Sequence, residues 1–166
     1  MSGKKIAIGS VTKGFNLKSS ISNHLNQQGH DVLDVGCFDT GSFVKYTTIG
    51  EAIAYALHNG DAEFGMIFCN FGTSGCAGVA KFRGVCAFNC ESVQTAEAAR
   101  KVNGANVLCM GASLMSIEMA CRIVDAFIHA EFLDLPGVPH HVQQFRRQAR
   151  DQLIASGEIP RTTELT

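Results

Sequence analysis

Short, near-continuous apolar runs alternate along the chain with stretches where apolar residues recur every three or four positions. Lys5-Ile6-Ala7-Ile8-Gly9 is the first run and reads as a buried strand. Leu17, Ile21 and Leu25 follow at i, i+4 and i+8 with Ser, Asn and Gln between them, the pattern of an amphipathic helix that Gly29 stops. Asp31-Val32-Leu33-Asp34-Val35 predicts a second strand, followed by a Gly-containing loop to Tyr46. Ile49, Ala52, Ile53, Ala56 and Leu57 form the stripe of a second helix, ended by Asn59-Gly60. Gly65-Met66-Ile67-Phe68-Cys69 is a third strand, followed by a Gly-rich loop and a short helix. Gly84-Val85-Cys86-Ala87-Phe88 is a fourth strand and Asn106-Val107-Leu108-Cys109-Met110 a fifth, with a helix between them from about Ser92 to Val102. Ile117, Cys121, Val124 and Ile128 mark one more helix.

Strands this uniformly apolar, separated by helices, predict a parallel sheet covered on both faces. Pro136 and Pro139, the first prolines in the chain, break the pattern after that helix. A polar helix rich in Gln and Arg is then expected from about Val142 to Ser156. It has too few apolar positions for a core element, so it is expected to pack on a neighbouring subunit or on the surface. The fold expected is α/β: one doubly wound, Rossmann-like domain over residues 1–166, with a five-stranded parallel sheet and helices on both faces. Its core spans residues 4–132 and a C-terminal extension spans residues 133–166.

Composition narrows the function classes. The length of 166 residues suits a single domain, and 46% hydrophobic against 17% charged residues excludes a disordered chain. A net charge of -1 provides no basic footprint for nucleic acid or an anionic membrane. No apolar run approaches the roughly 20 residues a membrane helix needs. Ile6-Ala7-Ile8 after Lys4 and Lys5 is too short for a signal peptide, so a cytoplasmic location is expected. The 7 cysteines include no C-x-x-C pair, and no His pair has zinc-finger spacing. They read mainly as reduced, buried small hydrophobes, with no metal site and no cofactor motif.

In a sheet of this kind ligands bind beyond the carboxyl ends of the strands. After the first strand, Gly9-Ser10-Val11-Thr12-Lys13-Gly14 lacks both the Lys-Ser/Thr of a nucleotide loop and a G-x-G-x-x-G pattern, so neither nucleoside triphosphates nor dinucleotides are supported. After the third, Cys69-Asn70-Phe71-Gly72-Thr73-Ser74-Gly75 places a thiol at a strand end, then small and hydroxyl residues leading into a helix. Backbone N–H groups in such a loop hold an oxyanion or a phosphate, and helix N-termini activate thiols as bases or nucleophiles. The residues alone fit equally a Gly-rich loop beside a core Cys. Of the 6 histidines, His24, His58 and His129 read as surface or boundary residues, while His140 and His141 follow Pro139.

A set of segments together resembles type B ribose-5-phosphate isomerase and the related galactose-6-phosphate isomerase subunits. These are the opening Lys-Lys-Ile-Ala-Ile-Gly…Gly-Phe-x-Leu-Lys, Cys69 with its loop, Lys81-Phe82-x-Gly84, Asn106-Val107-Leu108…Gly111 and Ile123-Val124-Asp125-Ala126-Phe127. The resemblance covers about residues 4–132, and the tail loosely. It implies a Rossmann-like sheet, no metal, a homodimer or homotetramer with active sites between subunits, and aldose–ketose interconversion of a phosphorylated sugar. It implies that Cys69 removes the proton between the reacting carbons to give a cis-enediolate, and that the amides of Asn70 through Gly75 stabilise the charge. Thr73 and Ser74 supply hydroxyls, Gly72 matches, and Phe71 stands where the family has Thr. Tyr46 and Asn103 also match family positions, Asn103 being expected to orient the substrate's hydroxyls.

The departures are as informative. The family's Asp-His pair after the first strand falls on Val11 and Thr12, and its ring-opening His falls on Val102. Its phosphate-binding arginines fall near His140 or His141 and near Gln144, so those histidines are candidates for holding phosphate or serving as acid. Lys13, Arg83, Arg100, Lys101, Arg146 and Arg147 are the cations left for phosphate. Three readings follow: an isomerase for a short sugar phosphate with no ring to open, a subunit working only beside a paralogue, or a non-catalytic sugar-phosphate binder.

Overall fold

The computed structural model describes residues 3–161. In chain order the elements are β1 Lys5–Ser10, α1 Phe15–Gln27, β2 Asp31–Gly36, α2 Tyr46–Asn59, β3 Phe64–Cys69, α3 Thr73–Ala80, β4 Ala87–Asn89, α4 Val93–Asn103, β5 Val107–Gly111, α5 Ile117–His129 and α6 His140–Ala155. A 3-10 turn, Thr12–Gly14, joins β1 to α1. All strand pairs are parallel and the order is β2-β1-β3-β5-β4. This is the five-stranded, doubly wound α/β sheet that the apolar runs predict.

The period-2 alternation of each strand divides the core into two layers. Ile6, Ile8, Met66, Phe68, Leu108 and Met110 face α1, α4 and α5, where they meet Leu17, Ile21, Ala96, Ile123 and Phe127. Ile67, Val107 and Cys109 point the other way and pack with Ile49, Ile53 and Val79 of α2 and α3. β3 and β5 are buried at every position, which is why they read as unbroken apolar runs.

On the second face α2 and α3 touch backbone to backbone. A Cβ on Gly50 would lie 2.7 Å from the carbonyl carbon and oxygen of Gly78, so only glycine permits this approach. The contact brings Tyr46, the first residue of α2, against α3, where a Cβ on Gly78 would lie 2.8 Å from the Tyr46 ring.

Two element starts differ from the sequence expectation by more than one residue. β4 begins at Ala87 instead of Gly84 because the Asn106 carboxamide takes over the preceding backbone, accepting from Cys86 N and donating to Gly84 O. α6 begins at His140, not Val142: Pro139 caps it, and its carbonyl accepts from Val142 N and Gln143 N. His140 and His141 therefore sit in a first helical turn and not in a connection.

α6 contains no buried residue and lies along α4. The chain beyond it returns to its own domain, where Arg83 N donates to Glu158 O and Glu158 N to Lys81 O. Phe145 and Leu153 remain 69% and 52% exposed on its outer side.

Candidate active site

Cys69 ends β3 at the carboxyl edge of the sheet and is buried, 1% exposed. Its sulfur accepts two hydrogen bonds, from Gly72 N at 3.0 Å and from Ser74 Oγ at 3.3 Å. Both donors come from the turn that starts α3. Gly72 makes that turn with φ +78°, a left-handed conformation with its Cα against the Asn89 carboxamide, where a side chain has no room. The first bond inside α3 runs from Cys76 N to Gly72 O. The N–H groups of Thr73, Ser74 and Gly75 thus have no helical acceptor and give this end a partial positive charge.

The loop is also fixed from the side of β5. Ala112 N donates to Cys69 O, Ser113 N to Asn70 O, and Ser113 Oγ to Asn70 Oδ1 at 2.6 Å. The geometry around the sulfur therefore rests on two strand ends and one helix start.

A cavity of about 410 Å³ is lined in part by Cys69. Cys69, Asn70 and Ser74 form its floor. One wall is Val11, Thr12 and Lys13 at the exit of β1. The other is Phe43, Val44, Lys45, Tyr46 and Thr47, where the loop after β2 enters α2. The lining is mostly apolar, with two exposed lysines and no carboxyl or imidazole group among the described residues. A cavity of this size holds a small linear molecule, with cations near its mouth and donors on its floor. Among the described residues no group of three or more His, Cys, Asp or Glu could hold a metal ion.

Of the residues singled out in the sequence, Cys69, Asn70, Ser74, Thr12, Lys13 and Tyr46 come together here. Gly72 contributes its backbone N–H, and Gly75 is buried against Ile67 behind the turn. Thr73 is exposed at the first position of α3. Phe71 is 53% exposed and lies outside the lining, its backbone packed on Gly111. Asn103 ends α4 at the opposite edge of the sheet from Cys69, since β5 runs from there back to Gly111 beside Cys69. His140 and His141 are exposed on α6, whose main neighbour is α4. These last three residues do not line the cavity of their own chain.

Lys45, Thr47, Phe43 and Val44 are the lining residues that the sequence pattern did not flag. They lie in or just after an aperiodic loop, and the one available signal was a lysine placed directly before the start of a helix.

A second thiol is activated nearby. Cys76 on α3 is lowered to about 7 by a hydrogen bond from the Cys109 thiol, against the effect of burial. Burial pushes Cys109 well above the usual thiol range and Cys90 up to about 11.

The ribose/galactose isomerase family model matches residues 6–144. The D-erythrulose-4-phosphate isomerase of Pectobacterium atrosepticum is 33% identical over 127 residues, covering 76% of this chain and 84% of that protein. The ribose-5-phosphate isomerase B of Escherichia coli is 33% identical over 129 residues, covering 78% and 86%. The crystal structure of ribose-5-phosphate isomerase B from Mycoplasma genitalium with bound ribulose-5-phosphate superposes with a TM-score of 0.76 at 29% identity, covering 89% of this chain and 95% of that one. The chain belongs to the ribose/galactose isomerase family, and its enzyme class is that of an isomerase.

Proposed function

We propose that the chain interconverts an aldose and a ketose phosphate of four carbons, with Cys69 as the base. The observation that carries this reading is Cys69 in the cavity lining, its sulfur held by Gly72 N and Ser74 Oγ. Both donors stabilise a thiolate. The thiolate takes the proton from the carbon next to the carbonyl. The C–H electrons form the enediolate and its charge goes to the former carbonyl oxygen. The N–H groups at the start of α3, with Thr73 and Ser74, stabilise that charge. The hydroxyl proton of the adjacent carbon passes to the former carbonyl oxygen, leaving a new carbonyl, and return of the proton from sulfur to the former carbonyl carbon completes the exchange of aldose and ketose.

Substrate length follows from what the lining lacks. A five-carbon aldose 5-phosphate or a six-carbon sugar 6-phosphate is mostly cyclic and needs an acid to open its ring. No carboxyl or imidazole lines this cavity among the described residues. A four-carbon sugar carrying phosphate on its last carbon has no free hydroxyl to close a stable ring, so it needs no such acid. The relative from Pectobacterium atrosepticum, named for a four-carbon phosphate, supports the same length. Thr12, Asn70 and Tyr46 face the substrate's hydroxyls, and Lys13 and Lys45 with the N-terminal end of α2 hold its phosphate.

Asn103, His140 and His141, which lie off their own chain's cavity, are assigned to the cavity of a neighbouring copy in a homodimer or homotetramer, or of a paralogous subunit, with Asn103 at the substrate's hydroxyls and the two histidines at its phosphate and not at a ring oxygen. The 7 cysteines, free in the structure, support a reducing, cytoplasmic setting. Among the described residues no helix is long and apolar enough to cross a membrane.

The test is turnover of erythrulose 4-phosphate against ribose 5-phosphate. A kcat/KM about a hundredfold higher for the four-carbon compound is expected. A preference for the five-carbon sugar would overturn the assigned length. Activity that appears only on mixing with a paralogue would replace the homomeric reading. Lys45→Ala should raise KM about tenfold with little change in kcat.

A further inference from the structure

We propose that Lys18 is a positioning residue that holds the cavity's loop wall, residues 37–45, in the conformation that binds substrate. Lys18 lies on α1, outside the cavity lining, and is 2% exposed. A lysine ammonium is almost never buried this far unless it is fully paired. Here Nζ donates to the Asp34 carboxylate, to Gly36 O at 3.2 Å and to Cys37 O at 2.8 Å. It also lies 5.3 Å from the Phe15 ring centroid and 5.6 Å from that of Phe38. Pairing with the half-exposed Asp34 alone would not require burial. The two main-chain acceptors mark the added task, because they lie where β2 ends and the wall loop begins.

The loop's first residue explains why a clamp is needed. Cys37 has φ +50°, a left-handed conformation that costs a non-glycine residue and persists only where its surroundings impose it. The Lys18 bonds to the carbonyls on either side of this peptide impose it.

From there the hydrogen bonds continue to the cavity. Cys37 Sγ donates to Asp39 O at 3.2 Å. Asp39 Oδ1 accepts from Gly41 N at 2.7 Å and Ser42 N at 2.8 Å, bonds that also hold its carboxyl below the usual range. Ser42 O accepts from Thr12 Oγ1 at 3.0 Å, and Thr12 belongs to the opposite wall. The loop is thus pinned at its start by Lys18 and near its end by Thr12. Phe43, Val44 and Lys45 follow directly as wall residues.

The kinetic readout rests on the isomerase reading above. In Lys18→Met, KM for erythrulose 4-phosphate should rise about tenfold while kcat stays within about threefold, since the variant removes loop-borne binding and leaves Cys69 in place. The milder Asp34→Asn should shift KM in the same direction by about threefold, and it serves if Lys18→Met does not fold. Trypsin cleavage after Lys45, followed by mass spectrometry, should be faster in either variant than in the wild type. A folded variant with wild-type KM and wild-type cleavage after Lys45 overturns the proposal, because a purely structural lysine would lower the melting temperature alone. If the wild type turns over no sugar phosphate, the isomerase reading fails separately, and the cleavage rate after Lys45 still decides the role of Lys18.

Discussion

At Cys76 the Cys109 thiol lowers the pKa to about 7, while burial holds Cys90 at about 11 and raises Cys86 as well. Iodoacetamide labelling at Cys76, read by peptide mass spectrometry, should therefore rise through about pH 7 and level off by about pH 8. Cys86, Cys90 and Cys109 should stay unlabelled over that range. Labelling of Cys76 that keeps climbing past pH 9, as for an ordinary thiol, would contradict the Cys109 hydrogen bond. A reactive thiol on α3, the helix that follows the proposed base, means that fast alkylation by itself does not single out Cys69. Gly72→Ala should cost about 1–3 kcal/mol in a thermal melt through its φ of +78° and the Asn89 carboxamide its Cβ would meet, and should also lower kcat because the displaced turn carries the N–H off the Cys69 sulfur. The place of Cys69 at a strand end was legible in the sequence because an apolar run stops there and small residues follow. Lys45 was not, because an exposed loop lysine carries no periodicity.

Among the elements, β3 and β5 were legible from unbroken apolar runs because both faces of each are buried. The start of β4 was not. Asn106 replaces ladder hydrogen bonds with its carboxamide, and hydrophobic patterning does not register a side chain acting as backbone. The Gly50–Gly78 contact was equally hidden, since either glycine alone reads as an ordinary helical residue. Gly50→Ala should cost about 1–3 kcal/mol, because its Cβ meets backbone atoms that cannot rotate away. It should raise KM as well, by moving Tyr46 and the start of α2 off the cavity. Chemical denaturation and steady-state kinetics on one preparation read both effects.

For the molecule as a whole, α6 presents Phe145 and Leu153 outward while the segment after it returns to its own domain at Glu158. The sequence signalled this helix as too polar for a core, and the structure bears that out with no buried position along it. Whether a second copy covers it is not encoded in one chain's patterning. If α6 joins subunits, light scattering on Phe145→Glu should show a smaller species than the wild type, with reduced activity. A wild type that is monomeric and fully active would remove Asn103, His140 and His141 from the site.

Everything in the functional account depends on proton removal by Cys69, and solvent deuterium exchange reads that step directly. Erythrulose 4-phosphate would be incubated in heavy water with the wild type and with Cys69→Ala, and followed by NMR at the carbon beside the carbonyl. The account predicts exchange with the wild type and a loss of at least about a thousandfold in the variant, at an unchanged melting temperature. Exchange at the wild-type rate in Cys69→Ala would show that another group takes the proton.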